Sequence, residues 1–225
     1  MAEREQRGSN SVDARSVQDR LVEAGEELFC TRGFNETSVR DIAAAAGCNV
    51  ASINYYFGGK DNLYEEIWRR RLASMRDLRL ASIERVMSSG KPPELEELLR
   101  AYAGAFLEPL VDGDPACRFG TLMAREMIDA RLSPETFLEG IVVPVMTKLT
   151  DALQTVCPGL DKTRARYAIL SLVGQLMHAV AAKGLFQRSD HPDFPPLDIG
   201  EFVAHVVTFS AAGIRAYAKE TGVQA

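Results

Sequence analysis

No part of this 225-residue chain stays apolar for long. The longest such runs, IVVPVM at 141–146 among them, are far short of the roughly 20 residues that cross a bilayer, so no membrane partner is expected. The amino-terminal MAEREQRGSNSVDAR mixes charges of both signs and lacks an apolar segment, which predicts a disordered tail over 1–15, no signal peptide and a cytoplasmic chain. Cysteine is scarce: Cys30, Cys48, Cys117 and Cys157 show no C-x-x-C spacing, which excludes a zinc knuckle or redox pair and favours small buried thiols. The three histidines, His178, His191 and His205, make no H-E-x-x-H pattern, and although His178 and His205 can meet across two helices, neither is read as a metal ligand. Excess positive charge is missing too. With 26 Lys and Arg against 31 Asp and Glu, the net charge is −5, of which residues 1–71 carry −2, so a basic polyanion-binding domain is excluded. Contact with nucleic acid would have to come from a small local patch.

What is present is a folded, helical chain, since 46% hydrophobic and 25% charged residues are the proportions of an ordinary globular protein. From Ser16 onward, Leu21, Ala24, Leu28 and Phe29 recur at three and four spacing, and Gly33 is the natural stop. In TSVRDIAAAAG, Thr37 or Ser38 caps a second helix of about two turns, with Asp41 as the capping-box acid. Ile42 and Ala45 are expected to face inward, and Ala43 and Gly47 to let this helix cross the next closely. Asn49 caps a third short helix, VASINYYF, whose Ile53 and Phe57 lie one turn apart on its buried side. Two short helices separated by a glycine turn form a helix-turn-helix, whose second helix enters the major groove. A long fourth helix is predicted from about Asp61 to near Met87. The charged run Arg69, Arg70 and Arg71 on it reads as a solvated face.

The run TSVRDIAAAAGCNVASINYYFGGKDNLY resembles the DNA-binding signature of the TetR/AcrR family of bacterial transcriptional regulators, through its aromatic pair, the following phenylalanine, the lysine after a short turn and the leucine beyond. It departs from the commonest pattern at Asn54, where tyrosine is usual, and at Cys48, where valine is usual. The resemblance implies an all-α fold, with a helix-turn-helix domain over 16–62 and a larger effector-binding and dimerisation domain over 63–225. It implies that Thr37 and Ser38 donate to phosphate at the start of the second helix, and that Arg40 is a further backbone contact. Asn49, Val50, Ala51, Ser52 and Asn54 lie along the helix that faces base edges. Tyr55 and Tyr56 straddle the backbone and Lys60 neutralises another phosphate, with a core position for Tyr55 as the alternative.

Beyond Pro93 the pattern predicts helices at 94–110, 115–130, 134–156, 161–186 and 198–220, the third bent at Pro144. The last two are apolar on more than one face. The family resemblance implies that they form a four-helix bundle with a second copy, through Ser171, Gly174, Met177, His178, Ala211 and Gly213. A core pair within one chain is the alternative. LMAREMIDARLSPETFLEGIVVPVMTKL and LVGQLMHAV also resemble the carboxy-terminal domain of CecR-like regulators, which implies a small-molecule cavity. Its walls would be Phe106, Met123, Met127, Phe137, Met146, Met177 and Phe186, with Arg125, Glu126, Gln175 and His178 as orienting polar groups, which suits a small and mainly apolar effector. No G-x-S-x-G, G-x-G-x-x-G or P-loop occurs, so neither an enzyme nor a cofactor is expected. Repression of a palindromic operator by a homodimer is the implied activity; activation or a helical adaptor are the alternatives.

Overall fold

The computed structural model describes residues 16–111, 115–186 and 197–222, so the expected tail at 1–15 lies outside the described residues. Within these residues the chain forms ten α-helices and one π turn, with no strand. None of the described helices is long and apolar enough to cross a membrane. The chain divides into two compact units, Met1–Arg70 with Thr121–Asp129, and Arg71–Gly120 with Ala130–Ala225. The first unit therefore takes in residues on both sides of the 62/63 boundary read from the sequence, and adds 121–129 from far along the chain.

In the first unit, α1 (Val17–Arg32) starts where the Ser16 hydroxyl accepts from the Asp19 amide and ends at Gly33, whose φ of 89° lets its N–H reach the Phe29 carbonyl. The second helix, α2 (Val39–Ala45), carries a full capping box: Ser38 accepts from the Asp41 amide, and the Asp41 carboxylate accepts from the Ser38 amide. The Ser38 hydroxyl and then its backbone amide hold the Asp41 carboxyl below the usual carboxylate range. A carboxyl with a lowered pKa contributes stability above its unfolded-state pKa, which is lost as pH falls through the folded value. Ser38→Ala is expected to lower the thermal midpoint by a few degrees, a shift that differential scanning calorimetry reads directly.

Ile42 is fully buried as expected, but Ala45 is exposed; Ala43 and Ala46 face the core in its place, because the inward stripe of so short a helix follows the 42, 43, 46 register. Gly47 is exposed and a Cβ there would meet nothing within 4 Å, so its φ of 61° in the turn, and not close crossing, is what calls for glycine. The third helix, α3 (Ala51–Phe57), begins beneath the Asn49 side chain, which accepts from the Ala51 amide at 2.9 Å. Gly58, with φ 77°, closes it by donating to Asn54 O. The core beneath these helices is aromatic: the rings of Phe29, Phe34 and Tyr64 lie 5.0 to 5.5 Å apart, with Trp68 beside Tyr64. Residues 121–129 complete it from α6 (Pro115–Ile128), where buried Glu126 accepts from the Tyr64 hydroxyl at 2.7 Å and Arg125 donates to Phe29 O at 3.0 Å. The long α4 (Lys60–Met87) contributes residues to both units.

The second unit also holds α5 (Leu95–Val111), α7 (Pro134–Phe137), α8 (Val143–Val156), α9 (Lys162–Phe186) and α10 (Ile199–Gly222). Here α10 packs on α9 and α5, and α8 packs on α9. The single bent helix expected over 134–156 is instead a short helix, a π turn at Leu138–Val142 and then α8. Pro144 has no N–H to offer the carbonyl four residues back, and the Val143 amide reaches Leu138 O, five residues back, so the irregularity is absorbed before the proline. A fork of two hydrogen bonds, 2.5 and 2.6 Å, joins Arg215 of α10 to Glu96 of α5. That contact holds the Glu96 carboxyl below its usual range.

Candidate nucleic-acid interface

One residue anchors α3. Ile53 is 0% exposed, while Val50, Ala51, Asn54, Tyr55 and Tyr56 are exposed and Ser52 and Phe57 half-buried. With 3.6 residues per turn, burying 53 and partly 57 turns 51 and 55 outward, while Val50 and Asn54 are exposed along the margin of the anchored face. Tyr55 is 82% exposed and its ring meets Tyr56 edge to face at 4.9 Å, which overturns the core alternative for this residue. The displayed surface holds an apolar edge at Val50 and Ala51, suited to a thymine methyl. A hydroxyl and an amide at Ser52 and Asn54 suit base edges, and two phenols suit phosphate. Arg40 stands exposed on the first turn of α2.

Two expected phosphate ligands point elsewhere. Thr37 is 1% exposed, and its hydroxyl donates to the carbonyls of Gly33 at 2.7 Å and Leu28 at 3.3 Å. A hydroxyl has one proton, and here it closes the link between α1 and α2. Lys60 is half-buried; its ammonium donates to the carbonyls of Phe34 and Thr37, both at 3.0 Å, and lies 4.0 Å from the centroid of the Phe34 ring. The ammonium is thus directed at two main-chain oxygens of the loop before α2. Ser38 and Asn49 remain exposed, but each side chain is also engaged in its own cap.

Arg20 is a positioning residue that no motif in the sequence singles out. Its Nε donates to Ala46 O at 3.2 Å and its terminal nitrogen approaches Cys48 Sγ at 3.5 Å, so α1 grips the turn between α2 and α3. The available signal was its register: Arg20 falls on the same face as Ala24 and Leu28, both buried. Arg70 pairs with Asp19 and Glu66, and Arg69 with Glu66.

The residues expected around an effector are divided. Met123, Arg125 and Glu126 belong to the first unit, where Arg125 donates to Phe29 O and Glu126 accepts from the Tyr64 hydroxyl. In the second unit Phe106 is buried, Phe137, Met146, Gln175 and Met177 are half-buried, and His178 is exposed. The Gln175 amide donates to Ser171 O, one turn back. Met146 lines a pocket of about 210 Å³ with Val142, Val143, Thr150, Lys162 and Arg166. The side chains of Met127 and Phe186 lie outside the described residues, as do that of Cys117 and all of His191.

For the expected pairing surface, Ser171, Gly174, His178 and Gly213 are exposed, and a Cβ on either glycine would meet nothing within 4 Å. Tyr167, Leu170 and Phe209 add exposed apolar area on the same two helices. Ala211 is buried within its own chain, so it serves packing inside the unit and not a partner. His205 is exposed and lies against Phe202 and Phe209. Cys30 and Cys157 are buried and Cys48 half-buried.

Residues 21–67 match the family model "Bacterial regulatory proteins, tetR family", and residues 100–213 match "Tetracyclin repressor-like, C-terminal domain". The chain is 48% identical over 52 residues to "Probable HTH-type transcriptional regulator YttP" of Bacillus subtilis (strain 168), a stretch covering 23% of this chain and 25% of that protein. It is 27% identical over 175 residues to the HTH-type transcriptional dual regulator CecR of Shigella flexneri, covering 74% and 77% of the two chains. A solved structure described as a transcriptional regulator from Pseudomonas aeruginosa PAO1 superposes with a TM-score of 0.68 at 21% identity, over 91% of this chain and 93% of that one. At that identity the likeness is one of fold.

Proposed function

We propose, from the premise that this chain belongs to the TetR family of transcriptional regulators and carries its DNA-binding helix-turn-helix domain, that two copies bind a palindromic operator and that a small effector releases them. The observation that carries this reading is the exposure of α3: one side chain, Ile53, is used for anchoring, and Val50 to Ser52 and Asn54 to Tyr56 are left for DNA. The local charge is low, so a single copy has few phosphate contacts to draw on, and pairing doubles them. Pairing is supported by the exposed stripe of Tyr167, Leu170, Ser171, Gly174 and Phe209 on α9 and α10, where the open glycines leave room for a second backbone. A two-fold axis through such a face matches the two-fold axis of an operator.

Release needs only a ligand that prefers the chain's non-binding shape; a tenfold loss of operator affinity takes about 1.4 kcal/mol of differential binding. We place that ligand in the second unit, with buried Phe106 among its walls, and the whole cycle in the cytoplasm. Repression is the simplest outcome, because a bound dimer occludes promoter DNA. Activation at some sites is a second reading, favoured by the dual-regulator name of the CecR relative.

Electrophoretic shifts with DNA flanking the protein's own gene, at moderate salt and with competitor DNA, test the premise of operator binding. A specific shift with two-fold footprint symmetry is expected. No specific shift would leave the adaptor alternative standing. Tyr55→Ala is expected to leave the unfolding midpoint in place, since exposed substitutions usually stay within about 0.5 kcal/mol, while weakening binding to every sequence. Ser52→Ala is expected to relax sequence choice instead, visible as a flattened ratio of operator to mutant-operator affinity.

A further inference from the structure

Arg79 sits within the part of α4 that belongs to the second unit and is 7% exposed. Its guanidinium lies 4.1 Å over the ring of Phe106, and its Nε has no hydrogen-bond partner. Tyr102, 2% exposed and one turn before Phe106 on α5, is the polar side chain whose charge state it feels. No carboxylate of the described residues pairs with Arg79. Burial works against its charge and also pushes the Tyr102 phenol up, so neither group compensates the other as an ion. An arginine does not shed its proton in a protein, and a buried cation without a counter-charge is costly. Such a group persists where an anion arrives to meet it.

We infer that the small molecule bound by the second unit carries a carboxylate, and that Arg79 receives it with the Tyr102 hydroxyl as second donor. This rests on the effector reading above and assigns its chemical class. One guanidinium balances one negative charge, and its planar fork matches the two oxygens of a carboxylate; a doubly charged phosphate would bring an uncompensated charge into the same apolar surroundings. Phe106, Ile83 and Met75, all buried on these two helices, supply apolar contact for the remainder of the molecule. The effector is therefore an amphipathic acid, with an apolar body and a single anionic head, and a purely apolar compound is rejected because it leaves the Arg79 charge unmet.

The test uses the full-length protein and sodium octanoate, decanoate and benzoate, each beside the corresponding alcohol. Binding is measured by calorimetry and by the thermal shift, and operator release by fluorescence anisotropy. At least one acid is expected to bind and its alcohol to bind far more weakly. Arg79→Met should remain folded with an unchanged or higher midpoint, since an apolar isostere replaces an unpaired buried charge, and should bind the acid roughly a hundredfold more weakly. Tyr102→Phe, which keeps the ring, should cost roughly tenfold. Operator affinity without ligand should be unaltered in both. Acid binding that depends on Arg79 but leaves operator binding untouched would support this inference and refute the release mechanism. The inference is overturned if no acid binds, if the alcohols bind as well, or if binding survives Arg79→Met and falls with Lys162→Ala and Arg166→Ala in the pocket beside α8.

Discussion

Ile53→Ala will destabilise the first unit by about 2–5 kcal/mol and weaken operator binding with it. Ile53 is the one fully buried residue of a seven-residue helix, so removing its branched side chain leaves a cavity at the point where α3 is held against α1 and α2. A short helix has little stability of its own, and without that anchor the geometry of Val50 to Tyr56 is no longer set by the domain. The chain's single tryptophan makes this measurable: Trp68 is fully buried in the first unit, so urea unfolding followed by its fluorescence reports on that unit. A lowered midpoint is expected, together with operator affinity reduced even where the protein remains folded. An unchanged midpoint would mean that α3 is anchored by something other than Ile53.

Lys60→Ala is expected to cost about 3 kcal/mol, a large share of the 5–15 kcal/mol that holds a typical domain together. Two hydrogen bonds from a charged donor contribute roughly 1.5–3 kcal/mol each, and a cation over an aromatic face about 0.5–2 kcal/mol; the half-buried setting and shared geometry keep the sum below full additivity. The substitution removes the ammonium that binds Phe34 O and Thr37 O and so ties the start of α4 to the loop preceding α2. Lys60→Met, retaining the stem but no charge, should recover only a small part. The discriminating measurement is the salt dependence of operator binding by the fraction that is folded. A phosphate ligand would reduce the slope of log K against log salt by about 0.9, whereas a lysine turned into its own domain leaves it unaltered.

These two residues mark the limit of reading at the level of sequence. Ile53 was legible because helical periodicity decides which way a side chain points before any neighbour is known. The extent of several helices was legible on the same grounds: Ser38 caps, Gly33 stops, and the predicted 161–186 and 198–220 are α9 and α10 within a residue or two. Lys60 was not legible. Its neighbours in space, Phe34 and Thr37, are more than twenty residues away, and no local pattern says that a lysine reaches their carbonyls. Arg20 and Arg125 follow the same logic, since each is bound to a main-chain oxygen that only packing brings within reach.

Periodicity, caps and the aromatic run NYYF by themselves determined an all-helical chain with a helix-turn-helix near its start, because those depend on residues at most a turn or two apart. Which polar groups remain for DNA or a ligand was decided by tertiary structure alone. Lys60 and Thr37 are withdrawn into the domain and Tyr55 is put out into solvent, while Arg79 is left buried over Phe106 with no carboxylate of the described residues to meet it. A side chain's chemistry is written in the sequence, but whether its donors are already taken depends on which distant carbonyls, carboxylates and rings the fold brings within reach.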